Sequence, residues 1–317
     1  MCDGVEVGDG MMLYGPEDEI RFQNGCIAVL GMFDGIHLGH RALISEAVEL
    51  KKQHRLPVVM HTFTDHPRNR LPGREQIPLI MTNREKAELA GQLGIDAIVF
   101  EEFTEAFRHL SPEAFIRSIL LERLHVKYVV VGENYRFGYR HEGSYQLLRQ
   151  YPQYFSVVVK PCQTVDGHTV SSSRIRHLIT SGQIGEANRL LDRPFLLEGE
   201  VVHGRKVGRE LGFQTANLQV DKTCLLPMPG VYLTHAQVKG QKYPALTNIG
   251  NNPTFALDTV QIETHILDFK DNIYQKRMSV YFLRFVRPEI RFSGREQLIE
   301  QLTYDIQSAR HSFQTLE

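Results

Sequence analysis

Tryptophan is absent from this 317-residue chain, cysteine occurs only four times, and neither sign of charge dominates, with 36 Lys and Arg against 37 Asp and Glu for a formal charge of −1. Each shortage excludes something. Near-neutrality removes any global attraction to nucleic acid or to an anionic membrane surface, so neither is expected as a partner and any anion must be gripped locally. Cys2, Cys26, Cys162 and Cys224 form neither a CxxC pair nor a zinc-ligand pattern, which reads as reduced thiols in a cytoplasmic protein. No apolar run approaches the roughly 18 residues of a membrane span. The first twenty residues carry Asp3, Glu6, Asp9, Glu17, Asp18 and Glu19, the reverse of a secretory leader. A charge near zero also lowers the barrier to self-association, so a homo-oligomer is permitted.

What is present is an ordinary globular composition, 42% hydrophobic and 23% charged, which excludes disordered and coiled-coil classes. At roughly 100 to 200 residues per domain the length predicts two domains. The two halves differ in grammar. Up to about Pro161, apolar runs rich in Val and Ile (Ile27 to Phe33, Pro57 to Phe63, Ala97 to Phe100, Lys127 to Val131, Phe155 to Val159) predict buried strands. Helical spacing separates them, at Leu43/Ala47/Leu50, at Leu89/Leu93 after a Thr82 to Glu85 capping box, and from Ser111 with Pro112 through Leu124. This alternation predicts a Rossmann-like α/β domain with a parallel sheet and a ligand crevice at the carboxyl ends of its strands.

From about Leu197 strand follows strand: Leu197 to Val202, Gly230 to Val238, Tyr243 to Ile249, Val260 to Leu267 and Met278 to Val286. A final helix is predicted from a second capping box, Ser293 and Glu296, with Leu298, Leu302 and Ile306 on its apolar face. The boundary is expected among Arg174 to Arg193, where two short helical stretches are broken by Ser181-Gly182. That gives domains 1–182 and 183–317.

The first chemical constellation is Gly31-Met32-Phe33-Asp34-Gly35-Ile36-His37-Leu38-Gly39-His40, at a strand-to-helix turn. Gly31, Gly35 and Gly39 let backbone approach a ligand, the helix start offers free N–H groups to phosphate, and His37 and His40 at i, i+3 share a face. This stretch resembles the nucleotide-binding signature of the cytidylyltransferase-like nucleotidyltransferases. The resemblance implies that Gly31, Phe33, Asp34, Gly35 and Gly39 cradle ATP. The paired histidines would stabilise phosphate charge as the α-phosphate is attacked and pyrophosphate leaves.

Three more segments resemble the FAD synthetase branch of that family. In Thr62-Phe63-Thr64-Asp65-His66-Pro67-Arg68, His66 and Arg68 would bind the phosphate of FMN. In Gly132-Glu133-Asn134-Tyr135-Arg136, Asn134 and Arg136 would contact nucleotide. In Ser171-Ser172-Ser173-Arg174-Ile175-Arg176, the hydroxyls of Ser171 and Ser172 and the guanidinium of Arg176 would clasp the β- and γ-phosphates. Asp65 stands where a proline or small apolar residue is usual, and Ser173 where Thr is usual.

The second constellation has Gly204, Gly208 and Gly212 at four-residue spacing, loaded with Arg205, Lys206 and Arg209, a loop able to fold around polyphosphate. Directly after it, Thr215 and Asn217 place two neutral oxygen ligands on one face of an extended segment, suited to Mg²⁺ that keeps its waters. The stretch resembles the riboflavin kinase module, a small six-stranded antiparallel barrel, with Gln214 in place of a signature proline. By that resemblance Gly204, Lys206, Gly208, Arg209 and Gly212 bind ATP. Glu263, in Ile262-Glu263-Thr264-His265, is the general base toward the ribityl 5′-hydroxyl, and Asn251 and Phe255 contact flavin or nucleotide.

With both modules in order, the chain resembles the bifunctional riboflavin kinase and FAD synthetase family. The substrates implied are riboflavin, FMN and ATP, with Mg²⁺ in both reactions. Two alternatives stay open on sequence: an adenylyltransferase for pantetheine phosphate or nicotinamide mononucleotide, and a flavin- or nucleotide-binding regulator in which one module has lost catalysis.

Overall fold

The computed structural model describes residues 4–7, 10–20, 22, 24–203, 213–251 (main chain only at 251) and 260–315. The chain divides into two compact units, 1–172 and 173–317.

The first unit is built on a seven-stranded sheet. Its elements are β1 (Val5–Val7), β2 (Met11–Tyr14), β3 (Cys26–Leu30), α1 (Leu38–His54), β4 (Val58–Phe63), α2 (Asn83–Gln92), β5 (Ala97–Glu101), α3 (Glu105–Arg108), α4 (Pro112–Phe115) and β6 (Val126–Gly132). Short pieces follow, β7 (Arg136–Phe137), β8 (Gly143–Ser144) and α5 (Tyr145–Leu148), then β9 (Ser156–Lys160), β10 (Thr164–Val165) and β11 (His168–Thr169). The sheet order is β1-β2-β5-β4-β3-β6-β9, and every pair is parallel except β1 with β2.

Continuous apolar strands form because both faces are covered. On one face Ile27, Val29, Val58, Met60 and Ile98 pack with Leu43, Ile44, Ala47 and Leu50 of α1 and with Ala87 and Ala90 of α2. On the other, Ala28, Leu30, Val59, Ala97, Val99, Val129 and Val131 meet Phe115, Ile116, Ile119 and Leu120. Strand alternation alone sorts these two sets. The chain leaves β3 toward β4 and β5 on one side, then returns to β6 and β9 on the other. That reversal puts the crevice between β3 and β6 at their carboxyl ends, where Gly31 and the segment Gly132 to Asn134 follow.

Local signals mostly act as written. The Thr82/Glu85 capping box closes on both arms, and Ser111 caps Ala114 N–H with Pro112 opening α4. Beyond Phe115, however, the predicted helix continues over Ile116–Arg123 with π-type hydrogen bonding. The N-terminal segment supplies β1 and β2, which acidic composition hid: β2 is held by Met11 and Tyr14, buried against the sheet.

The second unit begins in α6 (Ser172–Thr180) and α7 (Ile184–Leu191) and continues through β12 (Phe195–Val202), β13 (Ala216–Val220), β14 (Gly230–Val238), β15 (Gln241–Asn251), β16 (Val260–Ile266), β17 (Arg277–Arg287) and α8 (Arg295–Gln314). The six strands close as β12-β13-β16-β15-β14-β17, all antiparallel. The closed antiparallel barrel with a final helix is the predicted one. Buried Thr234, Thr247 and Thr264 satisfy one another in a chain, with oxygens 2.9 and 3.0 Å apart. The capping box predicted at Ser293/Glu296 does not form. Gly294 is the N-cap, so Gln297 becomes the third helical residue, and its Oε1 accepts from Ser293 N–H at 3.2 Å.

Candidate active sites

In the first unit the turn after β3 is bent into rarely populated conformations. Phe33 (φ 49°) and Ile36 (φ 35°) adopt positive φ on either side of Gly35 (φ 86°), and both side chains are fully buried. Burial of two large apolar groups offsets strain of about 1 to 3 kcal/mol per residue. The chain then enters α1 with His37 as N-cap, its Nδ1 accepting from His40 N–H at 3.4 Å. An accepting Nδ1 leaves the ring proton of neutral His37 on Nε2. The two rings stack with centroids 3.7 Å apart and 14° between planes, and Phe33 lies 5.1 Å from the His40 ring. Gly39 packs closely against this pair: a Cβ there would sit 3.2 Å from the His37 ring, which would have to give by a few tenths of an ångström.

Phe33 and Asp34, expected among the ATP-cradling residues, turn their side chains inward. Asp34 is 1% exposed and its carboxylate accepts from Ile80 N–H at 2.9 and 3.2 Å. What these two residues present to a ligand is main chain. The hydroxyl of Ser172 donates to Asp34 O at 2.8 Å, which brings the serine segment onto the turn. Arg176 lies on α6, counted with the second unit.

His66 and Arg68 follow β4 as expected. His66 caps a single 3₁₀ turn, Pro67–Arg70, its Nδ1 accepting from Arg68 N–H, and the Arg68 side chain is exposed. Asp65 accepts from His66 N–H at 2.6 Å and from Asn69 Nδ2 at 2.8 Å, so the unusual aspartate holds this turn together. Asn134 is exposed in the loop after β6, and Arg136 is exposed at the start of β7.

Two buried charge clusters escaped the sequence reading. Lys86 of α2 is 2% exposed, with Nζ 3.2 Å from Met32 O, 3.3 Å from Thr62 Oγ1 and 3.4 Å from Phe63 O. Burial pushes its ammonium down to about 8, against the opposing pull of the Asp34 charge. The readable signal was its register: Lys86, Ala90 and Leu93 form the i, i+4, i+7 row that α2 turns to the sheet. The second cluster joins Glu101 at the end of β5 to His61 Nε2 (3.4 Å) and to Arg123, which also donates to Gly15 O. Burial would raise the Glu101 carboxyl, but the adjacent His61 imidazole and the guanidinium of Arg123 outweigh it and hold it low. Beside this cluster the half-buried rings of Phe63, Phe103 and Phe107 meet edge-on or tilted, with centroids 5.6 to 6.1 Å apart.

In the second unit, strand register settles where Glu263 points. Ile262 and Thr264 are buried in the barrel, so Glu263 faces away from it. Its Cα partners are Asn217 on β13 and Asn248 on β15, giving a row Asn217, Glu263, Asn248 on one face and Ala216, Thr264, Thr247 on the other. Directly opposed residues have Cβ atoms about 4.5 to 5.5 Å apart. Thr215, two residues before Asn217, is half-buried and lines a cleft with Phe269, Asp271, Ile273 and Tyr274. Without the signature proline, the main chain at Gln214 is tethered from its partner strand, His265 Nδ1 donating to Gln214 O at 2.8 Å. Gly204, Lys206, Gly208, Arg209, Gly212 and Phe255 lie outside the described residues, as does the side chain of Asn251.

No cluster of three His, Cys, Asp or Glu able to hold a metal occurs among the described residues. The donor set at Thr215 and Asn217, neutral oxygens with one carboxylate alongside, fits Mg²⁺ completed by substrate phosphates and water rather than a dedicated metal cage.

Sequence comparison accounts for both units. A family model described as FAD synthetase matches residues 19–174, and one described as riboflavin kinase matches 191–313. A bifunctional riboflavin kinase/FMN adenylyltransferase of Listeria monocytogenes is 40% identical over 92% of this chain and 93% of its own. The chain belongs to the bifunctional riboflavin kinase/FMN adenylyltransferase family. Other members of this family are similar along nearly the whole length. The Pseudomonas fluorescens enzyme is 35% identical over 90% of this chain and 92% of its own, and that of Escherichia coli K12 33% identical over 92% and 94%. A crystal structure from Streptococcus pneumoniae, described as a macrolide-efflux protein, superposes with TM-score 0.88 at 30% identity, covering 94% of this chain and 98% of that one. Among the described residues no helix is long and apolar enough to cross a membrane.

Proposed function

We propose that the protein phosphorylates riboflavin to FMN in its second unit and adenylylates FMN to FAD in its first. The observation that carries this reading is the presence of two unlike sites in one chain, a stacked histidine pair at a helix start and a carboxylate flanked by two asparagines on a barrel face. The first suits adenylyl transfer. A phosphate oxygen of FMN attacks the α-phosphorus of ATP in line and pyrophosphate departs, a reaction needing positioning and charge stabilisation and no covalent enzyme intermediate. His37 Nε2–H and the His40 ring hydrogen-bond the ATP phosphates, the turn and Ser171, Ser172, Asn134 and Arg136 complete the anion grip of this unit, and His66 and Arg68 hold the FMN phosphate. The rings of Phe63, Phe103 and Phe107 offer the isoalloxazine an apolar wall.

In the second unit Glu263 accepts the proton of the ribityl 5′-hydroxyl as that oxygen attacks the γ-phosphorus of a second ATP. Thr215 and Asn217 would hold Mg²⁺, which when bound would offset the negative charge developing on the phosphates. We assign adenylyl transfer to 1–182 and riboflavin phosphorylation to 183–317, and place both in the cytoplasm, in keeping with free thiols at Cys26 and Cys162.

Incubation with riboflavin, ATP and Mg²⁺ followed by separation of the flavins tests the reading. FMN appears first and FAD accumulates after it. Absence of flavin product would overturn the assignment, and binding without turnover at one site would favour the regulator.

A further inference from the structure

Between the two anion sites of the first unit lies a charge that neither has been assigned. Lys86 comes from α2, yet its three N–H donors are spent on oxygens of two other segments: Met32 O in the turn after β3, and Thr62 Oγ1 and Phe63 O at the end of β4. Thr62 Oγ1 in turn donates to Met32 O at 2.8 Å, closing a small buried ring of bonds. One segment leads into His37 and His40, the other into His66 and Arg68.

We propose that Lys86 is a positioning residue for adenylyl transfer: its ammonium locks the nucleotide turn to the flavin-phosphate segment and so sets the separation of the attacking oxygen and the α-phosphorus. The inference rests on the reading of this unit as an FMN adenylyltransferase. An ammonium in a dry interior carries a penalty of several kcal/mol, and an apolar side chain of similar length would fill the same space without it. A three-coordinate donor does what an apolar chain cannot, which is to fix two main chains relative to each other. Asp34, whose charge faces Lys86, is itself fastened to Ile80 N–H, so the turn is held from both sides. In-line transfer is sensitive to this distance, because a misplacement of about 1 Å costs on the order of 100-fold in rate.

The test uses the full chain and reads both half-reactions. In Lys86→Met, kcat for FAD formation from FMN and ATP is expected to fall about 100-fold, with kinase turnover in the same sample unchanged. The number of FMN and ATP-analogue equivalents bound per chain, measured by calorimetry, stays that of the unsubstituted protein. A kcat within about threefold of the original, or a kcat that falls only in step with binding stoichiometry, overturns the proposal. Should the first unit of Lys86→Met fail to melt cooperatively, Thr62→Val decides, since it removes one oxygen of the ring without stranding a charge: a loss of kcat at full stoichiometry is expected and an unchanged kcat overturns the proposal. If the unsubstituted protein makes no FAD, the adenylyltransferase reading itself falls, a result distinct from every outcome above.

Discussion

Asn217 and Glu263 stand directly opposite each other across β13 and β16, with Asn248 on the far side of Glu263. This places the proposed base one strand spacing from a proposed magnesium ligand, close enough for both to meet one substrate. Glu263→Gln keeps the size of the side chain and removes its proton affinity, so riboflavin phosphorylation should fall by about 10² to 10⁴. Supplied FMN should still be converted to FAD. Unimpaired phosphorylation in this variant would refute the assignment of the base.

Asn217→Ala leaves that base in place and removes one oxygen donor. The magnesium concentration for half-maximal phosphorylation should rise about tenfold or more, read from a magnesium titration at saturating ATP. An unshifted titration with lowered kcat would instead assign Asn217 to orientation of Glu263.

The stacked pair His37 and His40 gives the converse separation. His40→Ala removes one phosphate donor and the ring against which His37 is packed, so FAD formation should drop by on the order of 10² to 10³ while FMN accumulates from riboflavin. Loss of both products would show that the two sites are not independent.

Lys86 predicts an unusual alkaline response. Its ammonium is pushed down from 10.5 to about 8 in the folded chain by burial, with Asp34 opposing. Below about pH 8 both folded and unfolded chains carry the proton and the burial penalty is constant. Between there and 10.5 the unfolded chain binds more protons, so stability rises with pH. The melting temperature of the unsubstituted protein minus that of Lys86→Met should therefore climb across this interval. A flat difference would mean the ammonium is not held in a dry site.

Arg123 and Glu101 make the opposite prediction at acid pH. Both are largely buried, at 17% and 5% side-chain exposure, and removing one partner strands the other charge. Arg123→Met should destabilise the first unit by about 3 to 5 kcal/mol at neutral pH, seen by denaturant titration. Since the Glu101 carboxyl is held low, its contribution is present above the ordinary carboxylate range and fades as pH falls through its depressed value. The gap between Arg123→Met and the parent should narrow on acidification.

The two-unit architecture was legible because each half has its own grammar, alternating strands and helices up to Lys160 and, beyond α7, strand after strand before one final helix. The site turn was legible because glycines and histidines at fixed offsets are chemically conspicuous. Three kinds of feature were not. β1 forms one edge of the sheet and β2 lies between it and β5, a partner far along the chain, so acidic neighbours masked them. β13 is short, and its opening residues read as a ligand motif before they read as a strand. Lys86, His61, Glu101 and Arg123 are polar residues in buried positions, and only the folded chain shows which oxygens and charges meet them. Asp65 taught the same lesson in reverse, since a charge placed beside an anion site proved to be a turn fastener.

The barrel of the second unit closes on itself, so each of its six strands has a bonded neighbour on both flanks. Fraying usually begins at an unpaired margin, and here none exists to start it. Solvent deuterium should accordingly reach the amides at the centres of β14 and β17 only when the whole cylinder opens at once, making them the slowest clock in that unit.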